Sequence, residues 1–515
     1  MSTTQTRPST EFNKGVFIRN RFCYGKKRVC NDFVNNPEVI NRVIKLMITT
    51  LNRILRWEVW DLWWLDVWKS ELLNIRNNVI TKLGDKYGND IINDILKLID
   101  ELVEYLEKFS EYWSEERIGD EIKRLFDELI HGKVEVVVHK GGTGFSIYGE
   151  HITLVANETN SGVTAHLELK GLEGVTIDVP DIFNKAMSKE EYEKFIKELL
   201  KALRGGFAGT DEKIEDGKAA MGTTQIWQAI IWSLLYFGKV YIHVDAININ
   251  EGGVTMLWHL KSYDNDSLKH TILKEVEKFN KEALLAFMLT SILGDGSAYI
   301  AKNVTKGHVY NKAVIQFTMS SSKFRARKPI FKKLWDMGFR WSKKLDLRNN
   351  TVNVLFYSSR AIDLSRAMIN TLPPILRDLL DVLGPEKWVK LRSIANMEVK
   401  FRIGESQIII ANYGFTVFIN ESTVELRRKA RNEVEINEVY NTLKSIYGDE
   451  FVKQIRINKS GKYLIIIIPI YLIKMYDDIK RIVIENLCQR LGKTRDERRK
   501  RIIGKHLMRL IASNQ

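Results

Sequence analysis

The spacing of hydrophobic and polar positions changes several times along the chain, and the changes mark its parts. From Asn36 to about His131 apolar residues recur at intervals of three and four. Examples are Val39, Val43, Leu46 and Met47, then Ile91, Ile95, Leu98 and Leu102. This spacing predicts amphipathic helices with one face turned to a core. Trp57, Trp60, Trp64 and Trp68 share one helical stripe, which reads as core or inter-helix contact ahead of a surface for stacking bases. Residues 1–36 are polar, basic and irregular, with Gly15 and Gly25 interrupting, and predict a flexible arm.

Over residues 133–180 the period falls to two. Val134, Val136 and Val138 alternate, and Gly141-Gly142-Thr143-Gly144 turns the chain back into Phe145–Tyr148, predicting a hairpin. No Gly-Lys-Ser/Thr follows the glycines, so a phosphate loop is not indicated. Ser188 and Glu191 form a capping box ahead of a helix running to about Leu203. Residues 204–224 contain five glycines (205, 206, 209, 217 and 222) and read as a polar link. An apolar helix over 225–236 and strands over 240–247 and 253–260 come next. His243 and Asp245 share a strand face. With no third ligand at a recognised spacing, they read as a surface pair and not a metal site.

Residues 281–372 predict helix 281–293, strands 297–303 and 313–320, helix 325–338, strands 343–348 and 351–358, and helix 360–371. That order is α-β-β-α-β-β-α. A similar order follows less clearly: helix 386–394, strands 397–403 and 406–411 with further pairing through 415–427, helix 434–447, strands 452–458 and 462–468, and helix 476–487. Two such runs predict an internal duplication with boundaries at 281–372 and 373–486. The expected fold class is α+β. A flexible basic arm (1–36) precedes a helical domain (37–131) and a β-rich α+β domain (132–280). Then come the tandem unit with pseudo-two-fold symmetry and a basic C-terminal helix (487–515).

Composition narrows the function. The chain has 515 residues, 44% of them hydrophobic, enough for several packed cores. That excludes a disordered chain and a disulfide-built miniprotein. Three cysteines cannot all pair with one another, which points to a reducing compartment. The longest apolar runs, 226–237 and 463–473, fall short of the ~20 residues of a bilayer span, and no signal-like core opens the chain. The expectation is a soluble cytoplasmic protein without a membrane partner. Net charge is +15 and pI about 9.3. Residues 281–372 hold 16 Lys/Arg against 5 Asp/Glu, while residues 1–36 are net +5 and 487–515 net +7. Charge concentrated in this way points to an acidic polymer, nucleic acid ahead of a membrane surface.

One segment carries distinctive chemistry. The apolar helix ends in Leu293-Gly294-Asp295-Gly296-Ser297, with small residues Ala286, Thr290, Ser291 and Gly294 about a turn apart. Small residues at that spacing let a second helix approach closely. Asp295 lies at the helix C-terminus, where the helix dipole disfavours a carboxylate by a few tenths to ~1 kcal/mol. A divalent cation would repay that cost, since Mg²⁺ takes carboxylate and carbonyl oxygens together. A plain Asp-Gly turn explains the same residues without a metal.

This helix, its Leu-Gly-Asp-Gly-Ser ending and the α-β-β-α-β-β-α order resemble the LAGLIDADG homing endonucleases, well over 281–372 and loosely over 373–486. The resemblance implies two helices packed at a pseudo-two-fold axis, terminal acids holding divalent metal over DNA, and two saddle-shaped sheets in the major groove. It makes Asp295 a catalytic metal ligand. Ser297, Tyr299, Gln316, Thr318 and Ser320 would face bases or phosphates, and Lys323, Arg325, Arg327, Lys343, Lys344 and Arg348 would neutralise phosphate. The second run lacks Gly-Asp-Gly. Its candidate acid is Glu398, which also reads as an ordinary strand residue. Met221–Gln228 and the strands after it are faintly similar to uncharacterised crenarchaeal paralogous-repeat proteins, which fits a mobile-element or viral setting. Three readings stay open: a Mg²⁺-dependent double-stranded DNA endonuclease, a cleavage-inactive DNA-binding regulator or architectural protein, and a structural protein of a mobile element. RNA also stays open as a ligand. So does the choice between a monomer with an internal repeat and a homodimer.

Overall fold

The computed structural model describes residues 14–26, 29–159, 162–305, 308–347, 349–398, 406–430, 433–460 and 463–512. The chain is mixed α+β and divides into two units, the first running to Asn396 apart from residues 335–340, the second holding those residues and 397–515.

In the first unit, helices Pro37–Arg56, Trp63–Leu83, Asn89–Tyr112 and Glu115–Ile130 form the expected helical region. The four tryptophans do not share one helical stripe: a 3₁₀ turn over Val59–Asp61, flanked by positive φ at Glu58 and Leu62, breaks the run, leaving Trp57 and Trp60 half-buried and Trp64 and Trp68 buried, with the Trp64 indole donating to Val59 O at 2.9 Å. The basic arm is not flexible throughout. Arg21–Lys26 and Val29–Phe33 pair as a hairpin, and Arg21–Cys23 runs parallel to Glu135–Val137. Phe17, Phe22 and Cys23 are buried there, an apolar triplet hidden among charges in the sequence. Cys23 and Cys30 form a disulfide, and Cys488 is free and exposed. Among the described residues, no helix is long and apolar enough to cross a membrane.

The tandem order is present, but it begins upstream of the expected place. A helical run starts at the Ser188 capping box and passes through a π turn over Phe195–Leu200 into α1 (Lys201–Ala208). Strands β1 (Glu212–Glu215) and β2 (Lys218–Thr223) follow, then helix α2 (Ile226–Leu235), and strands β3 (Gly238–Asn250) and β4 (Gly253–Asp266). The short helix Ile272–Val276 completes this copy. The second copy is α3 (Lys281–Gly294), β5 (Ser297–Thr305), β6 (His308–Ser320), α4 (Ser321–Asp336), β7 (Ser342–Asp346), β8 (Thr351–Tyr357) and α5 (Ser359–Thr371). Strands lie in the order β1-β2-β4-β3 in the first copy and β5-β6-β8-β7 in the second. The first set continues past β3 into strands Gly162–Leu169, Ile152–Thr159, Gly144–Tyr148 and Glu135–Val138, making one large sheet.

The two copies meet through α1 and α3. Counting back from Asp211 and Asp295 aligns Gly206 with Thr290 and Thr210 with Gly294. These equivalent residues touch. A Cβ on Gly206 would lie 1.8 Å from Thr290 Oγ1, and one on Gly294 would lie 2.4 Å from Thr210 Oγ1. Contact between equivalent positions is what a two-fold axis between helices requires. α3 is buried at every position from Ala283 to Leu293, which accounts for its lack of a polar face.

The second unit has its own core. Strands β9 (Gln407–Ile410), β10 (Tyr413–Ile419), β11 (Val424–Ala430), β12 (Arg456–Ser460) and β13 (Tyr463–Ile468) lie in the order β9-β10-β11-β13-β12. Its last four strands repeat the pairing order of the other two sheets, with helix α8 (Glu433–Tyr447) between the hairpins. Of the strands expected over 397–468, that at 397–403 lies largely outside the described residues, the stretch 415–427 holds two strands, and the one expected at 452–458 starts at Arg456, after the short helix Asp449–Lys453. The helix that pairs with α3, however, is α1 and not one from 373–486. The basic C-terminal helix α9 (Glu497–Ile511) packs on this unit through Ile503, Leu507 and Leu510.

Candidate functional site

The crossing of α1 and α3 delivers two carboxylates to one place. Asp295 is the C-cap of α3, and Asp211 follows the end of α1 by three residues. A Cβ on Gly294 would fall 2.9 Å from Asp211 Oδ2, so only a glycine lets the first acid lie against the end of the second helix. Burial raises the Asp211 pKa, and the neighbouring Asp295 carboxylate adds to the shift, while a hydrogen bond from Gln228 opposes it. Gln228 Nε2 donates to Asp211 Oδ2 at 2.7 Å, and Thr223 Oγ1 donates to Gln228 Oε1 at 2.6 Å. The orientation of Asp211 is thus set from α2 and the end of β2.

Each helix end also meets a cation. Arg327, on α4, donates to Gly209 O; burial lowers its pKa and Asp295 opposes the shift. Lys387, on helix α7 (Glu386–Ala395), which follows α6 (Pro374–Leu383), donates to Leu293 O at 3.1 Å and to Gly294 O. Burial lowers the Lys387 pKa, and Asp211 and Asp295 oppose the shift. The site therefore combines two acids, two cations and helix-end carbonyls. A cleft of about 300 Å³ opens beside it, lined by Thr210, Asp295, Thr318, Ser320, Lys323 and Arg327 among others.

The sheet face next to the cleft is a polar lattice. The Tyr299 hydroxyl donates to Gln316 Oε1 at 3.1 Å, and Gln316 Nε2 donates to Thr318 Oγ1 at 2.9 Å and Asn353 Oδ1 at 3.1 Å. Thr318 Oγ1 donates to Asn353 Oδ1 at 2.6 Å. Ser297 pairs with Gln316 across the β5–β6 hairpin, and the Ser320 hydroxyl accepts from Lys323 N at 3.3 Å. Lys344 pairs with Asn353 in register and shares this face. Lys323, Arg325 and Lys344 are exposed and, among the described residues, carry no ion pair.

Other expectations change. Arg327 is turned inward on Gly209 and is not a free phosphate contact. Lys343 points to the opposite face, its ammonium 5.0 Å from the centre of the Phe324 ring. Arg348 lies outside the described residues. Glu398 is an exposed residue of the second unit, and the carboxylate that meets Asp295 is Asp211. Asp211, Gln228 and Lys387 were not singled out in the sequence. The available signal was the common spacing of Ala202–Asp211 and Ala286–Asp295, each with small residues five and one positions before the acid or facing it. His243 and Asp245 do share a face, 3.8 Å apart, and the His243 ring lies 4.8 Å from that of His259. That face is charge-paired, with His259 on Glu215 at 3.0 Å and Lys261 on Asp216 at 2.6 Å.

No family model and no curated protein matches the sequence. Among solved structures, the chain is similar to the meganuclease I-SmaMI bound to uncleavable DNA, at 12% identity over 39% of this chain and 97% of that one, with a TM-score of 0.25. It is also similar to the homing endonuclease I-WcaI bound to its DNA recognition sequence (12% identity, 40% and 92% covered, TM-score 0.25). The LAGLIDADG meganuclease I-AabMI bound to uncleaved DNA is another (11%, 39% and 99%, TM-score 0.22). Identity this low and superposition this partial carry no inference about chemistry. The faint likeness of residues 221–228 to crenarchaeal repeat proteins finds no support among these comparisons.

Proposed function

We propose that the paired unit from α1 to α5 binds double-stranded DNA and that Asp211 and Asp295 hold a divalent metal for phosphodiester hydrolysis. The observation that carries this reading is the convergence of two acids at the C-termini of two helices packed too tightly for a Cβ at Gly206. Ordinary packing gains nothing from two carboxylates at the negative ends of two helix dipoles. The donors available are carboxylate and main-chain carbonyl oxygens, the hard set that Mg²⁺ or Mn²⁺ prefers. Such an ion, when bound, supplies an activated water and neutralises charge developing on the phosphate.

The chain's own residues do the remaining work. Gln228 orients Asp211, Arg327 ties the end of α1 to α4, and Lys323, Arg325 and Lys344 attract the phosphate backbone. Ser297, Tyr299, Gln316, Thr318 and Asn353 present donors and acceptors at the spacing of a pleated sheet, suited to base edges in a major groove. A second reading, binding without cleavage, is favoured by Lys387, whose ammonium already bonds the α3 carbonyls.

The test is incubation with a randomised plasmid library and Mg²⁺ or Mn²⁺, with linear product scored beside gel retardation. Linear product lost in Asp211→Asn and Asp295→Asn, with retardation kept, supports hydrolysis at the acid pair. Retardation alone supports the second reading, and neither signal refutes both.

A further inference from the structure

The proposed site already contains a positive charge where its donors converge. We propose that the Lys387 ammonium is an internal competitor for the divalent cation, so that metal enters only by displacing α7's lysine from the end of α3. This rests on the reading of Asp211 and Asp295 as metal ligands and concerns the regulation of that site.

Three observations place the lysine in that role. Its Nζ donates to both Leu293 O and Gly294 O, the last carbonyls before Asp295. Unsatisfied carbonyls at a helix C-terminus attract cations, and here one side chain takes two of them. Both carboxylates of the pair oppose the burial-driven fall in the Lys387 pKa, so the ammonium lies within the field of the donor set. The lysine also breaks the symmetry of the site. In the first copy the equivalent carbonyl, Gly209 O, is held by Arg327 from within the unit's own α4, whereas Lys387 comes from a helix that follows both copies. Arg327's guanidinium is a spread charge fixed among buried groups. Lys387 is a compact ammonium on a flexible stem, the cation better able to withdraw.

The other charged groups around the site are consistent with a closed balance. Two carboxylates face two cations, and Gln228 contributes a neutral donor to Asp211. A divalent ion added with Lys387 in place would leave the cluster with excess positive charge at short range. With Lys387 withdrawn, the excess falls by one charge and the ion gains the two carbonyls as ligands. α7 then acts as a plug whose removal arms the site.

The experiment uses the full chain and Mn²⁺, with binding read by electron paramagnetic resonance. The proteins are wild type, Lys387→Gln, Lys387→Arg, and each of these with Asp295→Asn. Glutamine keeps an amide donor for the carbonyls and removes the charge, so Lys387→Gln should bind Mn²⁺ at least about tenfold more tightly than wild type. Lys387→Arg should stay near wild type, and Asp295→Asn should erase the gain. Thermal melts in EDTA and in saturating Mn²⁺ provide a second readout: Lys387→Gln should melt below wild type in EDTA and recover with Mn²⁺. If Lys387→Gln and wild type bind Mn²⁺ equally while Asp295→Asn weakens both, the acid-pair reading stands and the competitor proposal falls. If Asp295→Asn changes neither, both fall. A Lys387→Gln protein that stays unfolded in saturating Mn²⁺ also overturns the proposal, because the lysine is then only a structural cap.

Discussion

The helix crossing makes a graded prediction at three glycines of one segment. In Gly206→Ala the new methyl meets Thr290 Oγ1 at 1.8 Å, Phe287 O at 2.6 Å and Ser291 N at 2.8 Å. The threonine could rotate, but the other two atoms belong to the main chain of α3, so the helices must separate. Overpacking costs typically about 1–3 kcal/mol, and a backbone obstacle puts this site near about 3. Alanine returns about 1 kcal/mol through helix propensity. The net loss is about 2 kcal/mol, a factor of about 30 in the ratio of folded to unfolded protein. In Gly205→Ala the methyl meets the end of the Ile272 side chain at 2.2 Å, which can move, so the loss should be smaller. In Gly209→Ala the nearest atom is 3.4 Å away, and stability should be unchanged or slightly raised. Urea unfolding followed by tryptophan fluorescence gives the three values. Because Gly206→Ala also parts the acids, its Mn²⁺ affinity should fall beyond the change in folded fraction. Equal stability of Gly206→Ala and Gly209→Ala would refute the close approach of α1 and α3.

Three further outcomes follow from the same geometry. Lys323→Ala with Arg325→Ala should lower DNA affinity for all sequences alike and reduce the slope of log K against log salt by about 2, measured by fluorescence anisotropy; an unchanged slope removes both from the contact set. Asn353→Ala breaks the Gln316–Thr318–Asn353 lattice and should relax discrimination at one or two base positions, by about 1–3 kcal/mol each, in a binding selection; an unchanged preferred sequence would mean that this face does not read bases. In the second unit, burial lowers the His506 pKa below its usual value of 6.5 although the ring bonds Asn420 O at 2.8 Å. A folded pKa below the unfolded one means the stabilisation is complete above about pH 6.5 and is lost as pH falls toward the folded value. Amide protection over Glu497–Ile511, after correction for the base-catalysed intrinsic rate, should therefore fall on acidification, and pH-independent protection would contradict it.

The sequence shows α3 clearly because every position from Ala283 to Leu293 is buried, leaving an unbroken apolar run that ends in Gly-Asp-Gly. Its partner α1 is illegible by the same criterion. Lys201 and Arg204 interrupt its apolar positions, and Gly205-Gly206 is a pair that local propensity assigns to a loop. Tertiary contact reverses that preference, since the glycines are what the crossing needs. Strands of the second unit are legible as short β-branched runs such as Tyr463–Ile468, whereas the choice of α1 as the partner of α3 is not, because pairing of helices leaves no trace in strand sequence. Arg327 and Lys387 look like two cations among many until the fold turns them onto helix ends. Acidic positions can be searched by their distance from small residues, but cations that cap distant carbonyls cannot.

The two halves of the paired unit are moored differently. Beyond β3, the sheet of the first half continues through four more strands toward the N-terminal hairpin, while β5 and β7 form the rims of a four-stranded sheet among the described residues. A ribbon braced by neighbours on one side resists bending, and one with two loose margins yields. If the proposed duplex is the ligand, adjustment to its curvature should therefore fall on residues 297–357, with the opposite half serving as the anvil.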